Sequence, residues 1–439
     1  MSQPLYGTAQ YGVDRYDFLF DRQAIVTINH TLVGSSTHTD FPVLVTGTYD
    51  FLKSASNGGD VQHSSGYDIC FSATDGSVLA HEIEKYDPAT GEIVVWVKVP
   101  TLSHTVDTVI HLLYGCPEVS TSLENPTGVW DAHFKGVYHL KDGATLSAAD
   151  STSNAFNGTI TGATAVTGKV GGGADFDGND KITLGSPHQY SDITVSGWVY
   201  PTANNNIETF WSNWTATNGL FIFRYGAVGG TVWLYWPNAA GTDQYITSTS
   251  VAALNTWTHV AFSFDASGNA KLYFNGVQEA STTSNRKNTT ATAAQLGANP
   301  SGGDFYCKSI LDEFRVSNSI RSADWLLAEY NNVSNASFVT VRQAGRYISG
   351  RARILRQETQ SITGTARVKH ERTQSIAGVV RVLRNEAQTI TGVSRVLRNE
   401  SQSITGAARV KHERTENITG TARISQARTE SITGVSFLK

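Results

Sequence analysis

The chain is poor in several features that usually narrow a function. It has three cysteines, Cys70, Cys116 and Cys307, in 439 residues. Three thiols cannot all pair, and each stands among strand-forming residues, so they read as buried thiols and not as a disulfide framework. Methionine occurs once, at position 1. No apolar run approaches the ~18 residues of a membrane span, which argues against membrane insertion. The N-terminal Met-Ser-Gln-Pro-Leu-Tyr lacks the basic stretch and apolar core of a secretory signal, so the chain is expected to be made and left in the cytoplasm. Aspartate is missing from 340 to 439, where 18 Lys and Arg face 7 Glu. That stretch is +11 and the rest of the chain −15, within a net charge of −4.

What is present points to β-structure. Glycine, threonine, serine and asparagine are abundant, and 18 Phe, 17 Tyr and 9 Trp supply core material, a composition that suits sandwiches and not helices. The length allows roughly three domains at about 100–200 residues each.

The most regular feature is a phrase repeated every fourteen residues from Ile348, at Ile362, Ile376, Ile390, Ile404, Ile418 and Ile432. Within one copy Ile362, Gly364, Ala366 and Val368 alternate with Thr363, Thr365, Arg367 and Lys369, the period-two pattern of a strand with one hidden face. Fourteen is even, so each copy presents the same face. One copy holds too little apolar surface to stand alone, at about 1.5–3 kcal/mol per large buried side chain against about 1–2 kcal/mol of backbone entropy per ordered residue. The repeats are therefore expected to self-associate, with the seven isoleucines as the oligomerisation residues and an intertwined homotrimer as the arrangement. A monomeric antiparallel meander or a solenoid of short coils is the alternative, although fourteen residues is little for a full coil. Arg353, Arg367, Arg381, Arg395, Arg409 and Arg423 read as an outward ladder paired with Glu358, Glu371, Glu386, Glu400 and Glu413; the other reading is a basic stalk docking on an acidic surface. In length and Ile-x-Gly spacing the repeats resemble the β-repeats of trimeric viral fibre shafts and of phage tail and surface proteins.

Upstream, residues 1–16 read as a lead-in or anchor peptide, 17–127 as a β-sandwich, 128–333 as a second sandwich, 334–347 as a linker and 348–439 as the shaft. In the first sandwich, strands are expected at Ala24–Ile28, Phe41–Val45, Asp68–Phe71, Glu92–Val99 (stopped by Pro100) and Thr108–Tyr114. The phrases Asp40-Phe41-Pro42-Val43, Tyr67-Asp68-Ile69-Cys70-Phe71, His81-Glu82-Ile83-Glu84 and Val95-Trp96-Val97-Lys98 resemble a family of domains of unknown function that commonly precedes a lectin-like module in bacterial surface and phage proteins. In the second sandwich, Gly171-Gly172-Gly173-Ala174-Asp175-Phe176, Val195-Ser196-Gly197-Trp198, Trp257-Thr258-His259-Val260, Leu272-Tyr273-Phe274-Asn275-Gly276 and Leu311-Asp312-Glu313-Phe314 resemble the laminin-G and concanavalin-like lectin superfamily. The resemblance implies a jelly-roll of two antiparallel sheets, and Asn275-Gly276 fits a tight hairpin turn. Residues 323–332 read as a helix capped by Asp324 and stopped at Asn331-Asn332.

Concanavalin-like folds include glycosidases, which need two carboxylates flanking the scissile bond. No suitable pair is spaced for that within the lectin-like segment. His81-Glu82-Ile83-Glu84 lacks the second histidine of a zinc motif and reads as an alternating strand, while Asp312 and Glu313 stand in a phrase that the fold accounts for. No catalysis is expected and no cofactor is claimed. Asp175, Asp177, Asp180 and Asp312 have the oxygen chemistry for calcium, but acidic residues in a glycine-rich turn are ordinarily solvated. Carbohydrate binding is the favoured activity, because sugars present flat apolar faces ringed by hydroxyls and are met by exposed rings beside polar groups. The candidates are Trp211, Asn213, Trp214, Trp233 and Tyr235, with Phe221, Phe223 and Tyr225 assigned to the core.

The expected whole is a mainly β protein: two sandwiches on a repetitive shaft, an attachment fibre or appendage of a phage virion. Its partners would be copies of itself, other virion proteins and a host-surface glycan, with no nucleic acid. The rival readings are a bacterial adhesin, a secreted carbohydrate-active protein, or a decoration without a ligand.

Overall fold

A computed structural model describes residue 20 and residues 22–141, 145–204, 207–215, 218–287, 293–302 and 305–343, together with the backbone of the strands between 347 and 438. The lead-in expected at 1–16 lies outside the described residues.

The first domain is a sandwich of two antiparallel sheets. One runs in the order Val339–Gln343, Arg22–Ile28, Thr108–Tyr114, Cys70–Ala73, Val78–Leu79, and the other His38–Thr48, Glu92–Leu102, His81–Asp87. Inward residues such as Val26, Val43, Val95, Val97 and Leu112 are fully buried between them. The strand from Glu92 continues through Pro100 to Leu102. Pro100 does not end it, because the ladder with His38–Thr48 passes from Thr39↔Thr101 to Phe41↔Val99 without using the Asp40 position, so the missing N–H is not needed there. The three cysteines are free and buried.

The segment 334–347 is not simply a linker. Val339–Gln343 pairs antiparallel with Arg22–Ile28, from Ile28↔Val339 to Ala24↔Gln343, so the chain returns from the second domain to complete the sheet of the first. The alternation of Val339 and Val341 is too short to announce this. Phe338, fully buried, anchors the return.

The second domain stacks two larger sheets. One contains Gly172–Asp177, Lys308–Ser317, Ile193–Pro201, Thr258–Phe264, Asn269–Phe274 and Val277–Thr283 in that order; the other contains Asp243–Val251, Thr231–Pro237, Phe221–Tyr225 and Ile207–Ser212. Phe176, Phe210, Trp211, Leu234, Trp236 and Phe262 fill the space between them. The hairpin predicted at Asn275-Gly276 is present, with φ of 49° and 79°, as a turn with two positive φ values requires. Gly276 is doubly constrained: a Cβ there would meet Leu327 Cα and Tyr330 Cβ at 3.0 Å.

Those contacts come from the helix Ala323–Ser334, which fastens the domains together. Its cap is Ser322, whose hydroxyl accepts from Trp325 N at 3.1 Å. Asp324, expected as the cap, instead accepts from the Ser35 and Ser36 hydroxyls of the first domain at 2.8 and 2.7 Å. Asn331 and Asn332 do not stop the helix. The Asn332 amide accepts from Leu44 N at 2.7 Å and donates to Leu44 O at 3.1 Å, taking the place of a neighbouring strand. Trp130, Phe134, Val137, Tyr273 and Trp325 of the second domain share one continuous core with Phe41, Val45 and Trp96 of the first.

In the shaft, the strands pair in parallel with a register of fourteen residues in the same chain, as in Ile362↔Ile376, Gly364↔Gly378 and Arg367↔Arg381. A straight strand of twelve residues would reach about 40 Å, yet after fourteen the chain stands one strand spacing, about 4.8 Å, above its start. Each repeat must therefore curl back on itself. Within one chain the backbone takes the path of the solenoid alternative, with twelve residues of each full rung in strand.

Two expectations follow. A chain ended after Asn332 loses Phe338 and the Val339–Gln343 strand, and should unfold at a clearly lower temperature and be cut sooner by protease than one ended after Gln343. The second concerns Glu329: burial alone would raise its carboxyl, but Arg315, His259 and the Ser196 hydroxyl hold it down at about 2. Its folded pKa lies below the unfolded value, so its contribution is present above about pH 4.5 and is lost as pH falls toward 2. Glu329→Gln should cost about 3–5 kcal/mol at neutral pH, as removal of one partner of a buried pair does, and should flatten acid unfolding in that window, read by denaturant titration at each pH.

Candidate functional site

In the sheet Ile207–Ser212, Phe221–Tyr225, Thr231–Pro237, Asp243–Val251, one face is core and the other is aromatic. Ile222, Val232, Leu234 and Trp236 point inward and are buried. Alternation then sends Phe221, Phe223 and Tyr225, with Trp233, Tyr235 and Tyr245, to the opposite face. Cross-strand register places them side by side: Phe221↔Tyr235, Phe223↔Trp233 and Tyr235↔Tyr245.

The rings form a continuous layer. Trp233 stacks on Tyr245 with centroids 4.5 Å apart and on Phe223 at 6.0 Å. Phe223 stacks on Phe221 at 4.4 Å, and Phe221 lies parallel to Trp214 at 6.3 Å. Trp214 meets Tyr235 edge-on at 5.7 Å. Tyr245 is 55 % exposed, while Trp214, Tyr225, Trp233 and Tyr235 are half-buried. Polar groups border the rings: Thr231 accepts from Trp233 Nε1 at 2.9 Å, and burial together with the Asp243 carboxylate, its hydrogen-bond partner, pushes the Tyr235 hydroxyl up from its usual pKa. An apolar layer rimmed by hydroxyls and a carboxylate has the chemistry to hold the face of a sugar ring and its hydroxyls.

The structure divides the five sequence candidates. Trp214, Trp233 and Tyr235 belong to this face. Trp211 does not: it is fully buried, its ring 5.7 Å from Phe262. The cause is a bulge. Thr209 pairs with Phe223 but Trp211 with Ile222, so the parity of the strand flips between them and turns the indole into the core. Asn213 is also structural; its amide donates to Pro187 O and His188 O and accepts from Leu220 N at 2.8 Å. Phe221, Phe223 and Tyr225, assigned to the core from sequence, share the aromatic face, and the first two are only 4–5 % exposed because neighbouring rings cover them. Tyr245 escaped sequence reasoning, although Tyr245, Ile246 and Thr247 alternate as a half-buried strand should.

Of the aspartates weighed for calcium, Asp175, Asp177 and Asp180 lie near one another, but Asp312 faces Glu84 and Glu313 instead. Asp180 accepts from Asp177 N at 2.8 Å and thereby closes its own turn, whereas Asp312 is buried and accepts from Lys169 N and Val170 N at 2.7 and 2.8 Å. Among the described residues the histidine and carboxylate donors that do converge are those of Glu84, His139 and Glu313, mutually within 4.8 Å. They lie at the junction of the two domains. His139 Nδ1 is 2.6 Å from Glu313 Oε1 and its Nε2 3.4 Å from Glu82 Oε2. Burial would lower the imidazole, but the Glu313 and Glu82 carboxylates raise it well above its ordinary value. Burial, then the charge of Glu313, raises Glu84 and Asp312.

Comparison with known proteins finds two family matches along the chain. Residues 176–326 match the family model of the concanavalin A-like lectin/glucanases superfamily, and residues 65–153 match a domain of unknown function, DUF2341. Among solved structures, domain 4 of AbnA, a GH43 extracellular arabinanase from Geobacillus stearothermophilus in complex with arabinotriose, is 25% identical at a TM-score of 0.37, over 45% of this chain and 100% of that one. The binding domain of Paraclostridial Mosquitocidal Protein 1 is 16% identical at a TM-score of 0.37, over 46% of this chain and 53% of its own. The botulinum neurotoxin serotype D binding domain is 14% identical at a TM-score of 0.37, over 45% and 51%. The chain thus spans about half the length of these two toxin domains. No curated protein matches it. The chain carries a DUF2341 domain and, behind it, a concanavalin A-like module.

Proposed function

We propose that this protein is an attachment protein that holds a glycan against the aromatic face of its concanavalin A-like module and does no chemistry on it. The observation that carries the reading is the ring layer from Tyr245 through Trp233 and Phe223 to Trp214, half-open on a sheet whose other face is already core. A protein does not need a second apolar layer on the solvent side for stability, and an exposed one marks a binding surface. The match to a lectin and glucanase superfamily supports binding, and the acidic residues of the module that converge do so at the domain junction, away from the rings.

The shaft supports the wider reading, a virion fibre or appendage. A sandwich pair carried on fourteen-residue β-repeats is suited to display, and weak sugar contacts become useful when several copies act together. A solenoid of narrow rungs also leaves strand edges that a second copy can cover, so self-association through the repeats is part of the proposal.

Two measurements test it. Binding of the full chain to immobilised polysaccharides from bacterial surfaces should weaken about tenfold, or about 1.4 kcal/mol, in Trp233→Ala and in Tyr245→Ala, with the unfolding midpoint close to that of the parent. Trp211→Ala should instead cost about 3–5 kcal/mol of stability, as loss of a buried large ring does. A blank panel with the assembled chain would remove the binding reading. Sedimentation should show the full chain as an oligomer and the chain ended after Gln343 as a monomer; a full-length monomer at every concentration would remove the fibre reading.

A further inference from the structure

The junction between the domains gathers four carboxyl groups around few buried cations. Glu82 and Glu84 come from the strand His81–Asp87 of the first domain, and Asp312 and Glu313 from the strand Lys308–Ser317 of the second. The side chains of Glu82, Glu84 and Glu313 are between 1 and 4 % exposed, and Asp312 is fully buried. Against these four carboxyl groups stand the His139 imidazole and the Arg315 guanidinium, and Arg315 is shared with Glu329 at 3.7 Å. Lys141 reaches only the rim, 3.9 Å from Glu82. A buried charge without a partner costs several kcal/mol.

Two oxygens in the cluster, Glu84 Oε1 and Asp312 Oδ1, are buried and have no hydrogen-bond partner. Both strands have been bent to bring these groups in. Opposite Glu92–Leu102, Ile83 pairs with Val95 but Lys85 with Val94, so Glu84 is the extra residue of a bulge. Opposite Ile193–Pro201, Ser196 pairs with Arg315 but Trp198 with Asp312, and Glu313 lies in that bulge with a φ of 52°, a left-handed conformation that costs a non-glycine residue about 1–3 kcal/mol. Bulges re-aim side chains, and here both aim a carboxylate at the same imidazole.

We propose that Glu84, His139 and Glu313 form a binding site for a divalent transition cation of the Zn2+ class, which clamps the two domains together. The three donors lie within 4.8 Å of one another, a triangle that a cation bonded at about 2.0–2.2 Å to N and O ligands can occupy after small side-chain shifts. One imidazole with two carboxylates suits Zn2+ or Mn2+ better than Ca2+, which prefers six to eight oxygens.

The surroundings of each donor are those that a metal ligand needs. With Nδ1 facing the cation, His139 turns its other ring nitrogen to Glu82, which is itself fixed by Trp130 Nε1 at 3.1 Å and the Ser151 hydroxyl at 2.7 Å. Glu313 Oε2 accepts from Arg315 at 2.8 Å and Glu84 Oε2 from Trp96 Nε1 at 3.1 Å. A pocket of about 210 Å³ is lined in part by Glu82, His139, Lys141 and Ser151, so one of the three ligands borders open space.

The test uses the full chain, freed of metal by a chelator and dialysed against Zn2+, Mn2+ or Ca2+ in parallel. The expected result is one Zn2+ or Mn2+ per chain and an upward shift of the thermal midpoint that the chelator reverses. Glu84→Gln should weaken Zn2+ binding by more than the about 10–100-fold that loss of an outer partner costs, and should remove the shift. Without metal, that variant should fold with a midpoint close to the parent's or above it, because the amide keeps the shape of the side chain and takes away a buried carboxyl that has no cation of its own. Absence of stoichiometric Zn2+ or Mn2+ overturns the proposal. So does binding that survives Glu84→Gln undiminished, since the cation then sits elsewhere, as on His370 or His412 of the shaft.

Discussion

The two sandwiches do not have separate interiors where they meet. Trp96 and Phe41 of the first pack into one core with Trp130, Phe134 and Trp325 of the second, and this shared burial constrains everything polar at the junction. Water is excluded, so each polar group has to find its partner inside. Asn332 satisfies both backbone groups of Leu44, and the Arg321 guanidinium grips the Asp131 carboxylate through two contacts of 2.7 Å. Arg315 lies over the Trp96 and Trp130 rings at 4.3 and 5.2 Å, where the ring faces partly replace its lost hydration. The order of the chain follows from the same constraint: having built the second domain, it comes back through a docked helix to finish the first.

The aromatic face and the core of the second domain are two sides of one sheet, so their identities are set by strand parity. Period-two alternation was legible in Val232, Leu234 and Trp236 against Trp233 and Tyr235, and the structure keeps it. The hairpin at Asn275-Gly276, the boundaries of the helix to within two residues and the run Thr108–Tyr114 were legible for the same reason: each is decided by neighbours in sequence. Parity failed wherever a bulge intervened. Trp211 looked like a partner of Trp214 until one extra residue turned it inward, and Glu84 and Glu313 looked like ordinary members of alternating strands until bulges brought them together from 229 positions apart. Nothing local marks such a residue, because the bulge is imposed by the strand opposite. The return strand Val339–Gln343 was hidden for the same cause, since its partner Arg22–Ile28 lies at the other end of the domains.

The shaft shows what an even repeat does to a backbone. Because every ladder joins positions fourteen apart, the invariant residues of the phrase are in register with their own kind: isoleucine with isoleucine from 348 to 432, glycine with glycine, and six arginines from 353 to 423 in one file. The neighbouring file that holds Glu358, Arg372, Glu386, Glu400 and Arg414 mixes signs.

The position of Val339–Gln343 gives the molecule a mechanical character. If, as proposed, a ligand is held on the outer sheet and the shaft is fixed elsewhere, tension between them would bear on a strand laid lengthwise along Arg22–Ile28. Pulled along its axis, such a strand must give up its row of inter-strand hydrogen bonds nearly together. In the proposed attachment role the first domain would then serve as the coupling between the ring-bearing module and the shaft.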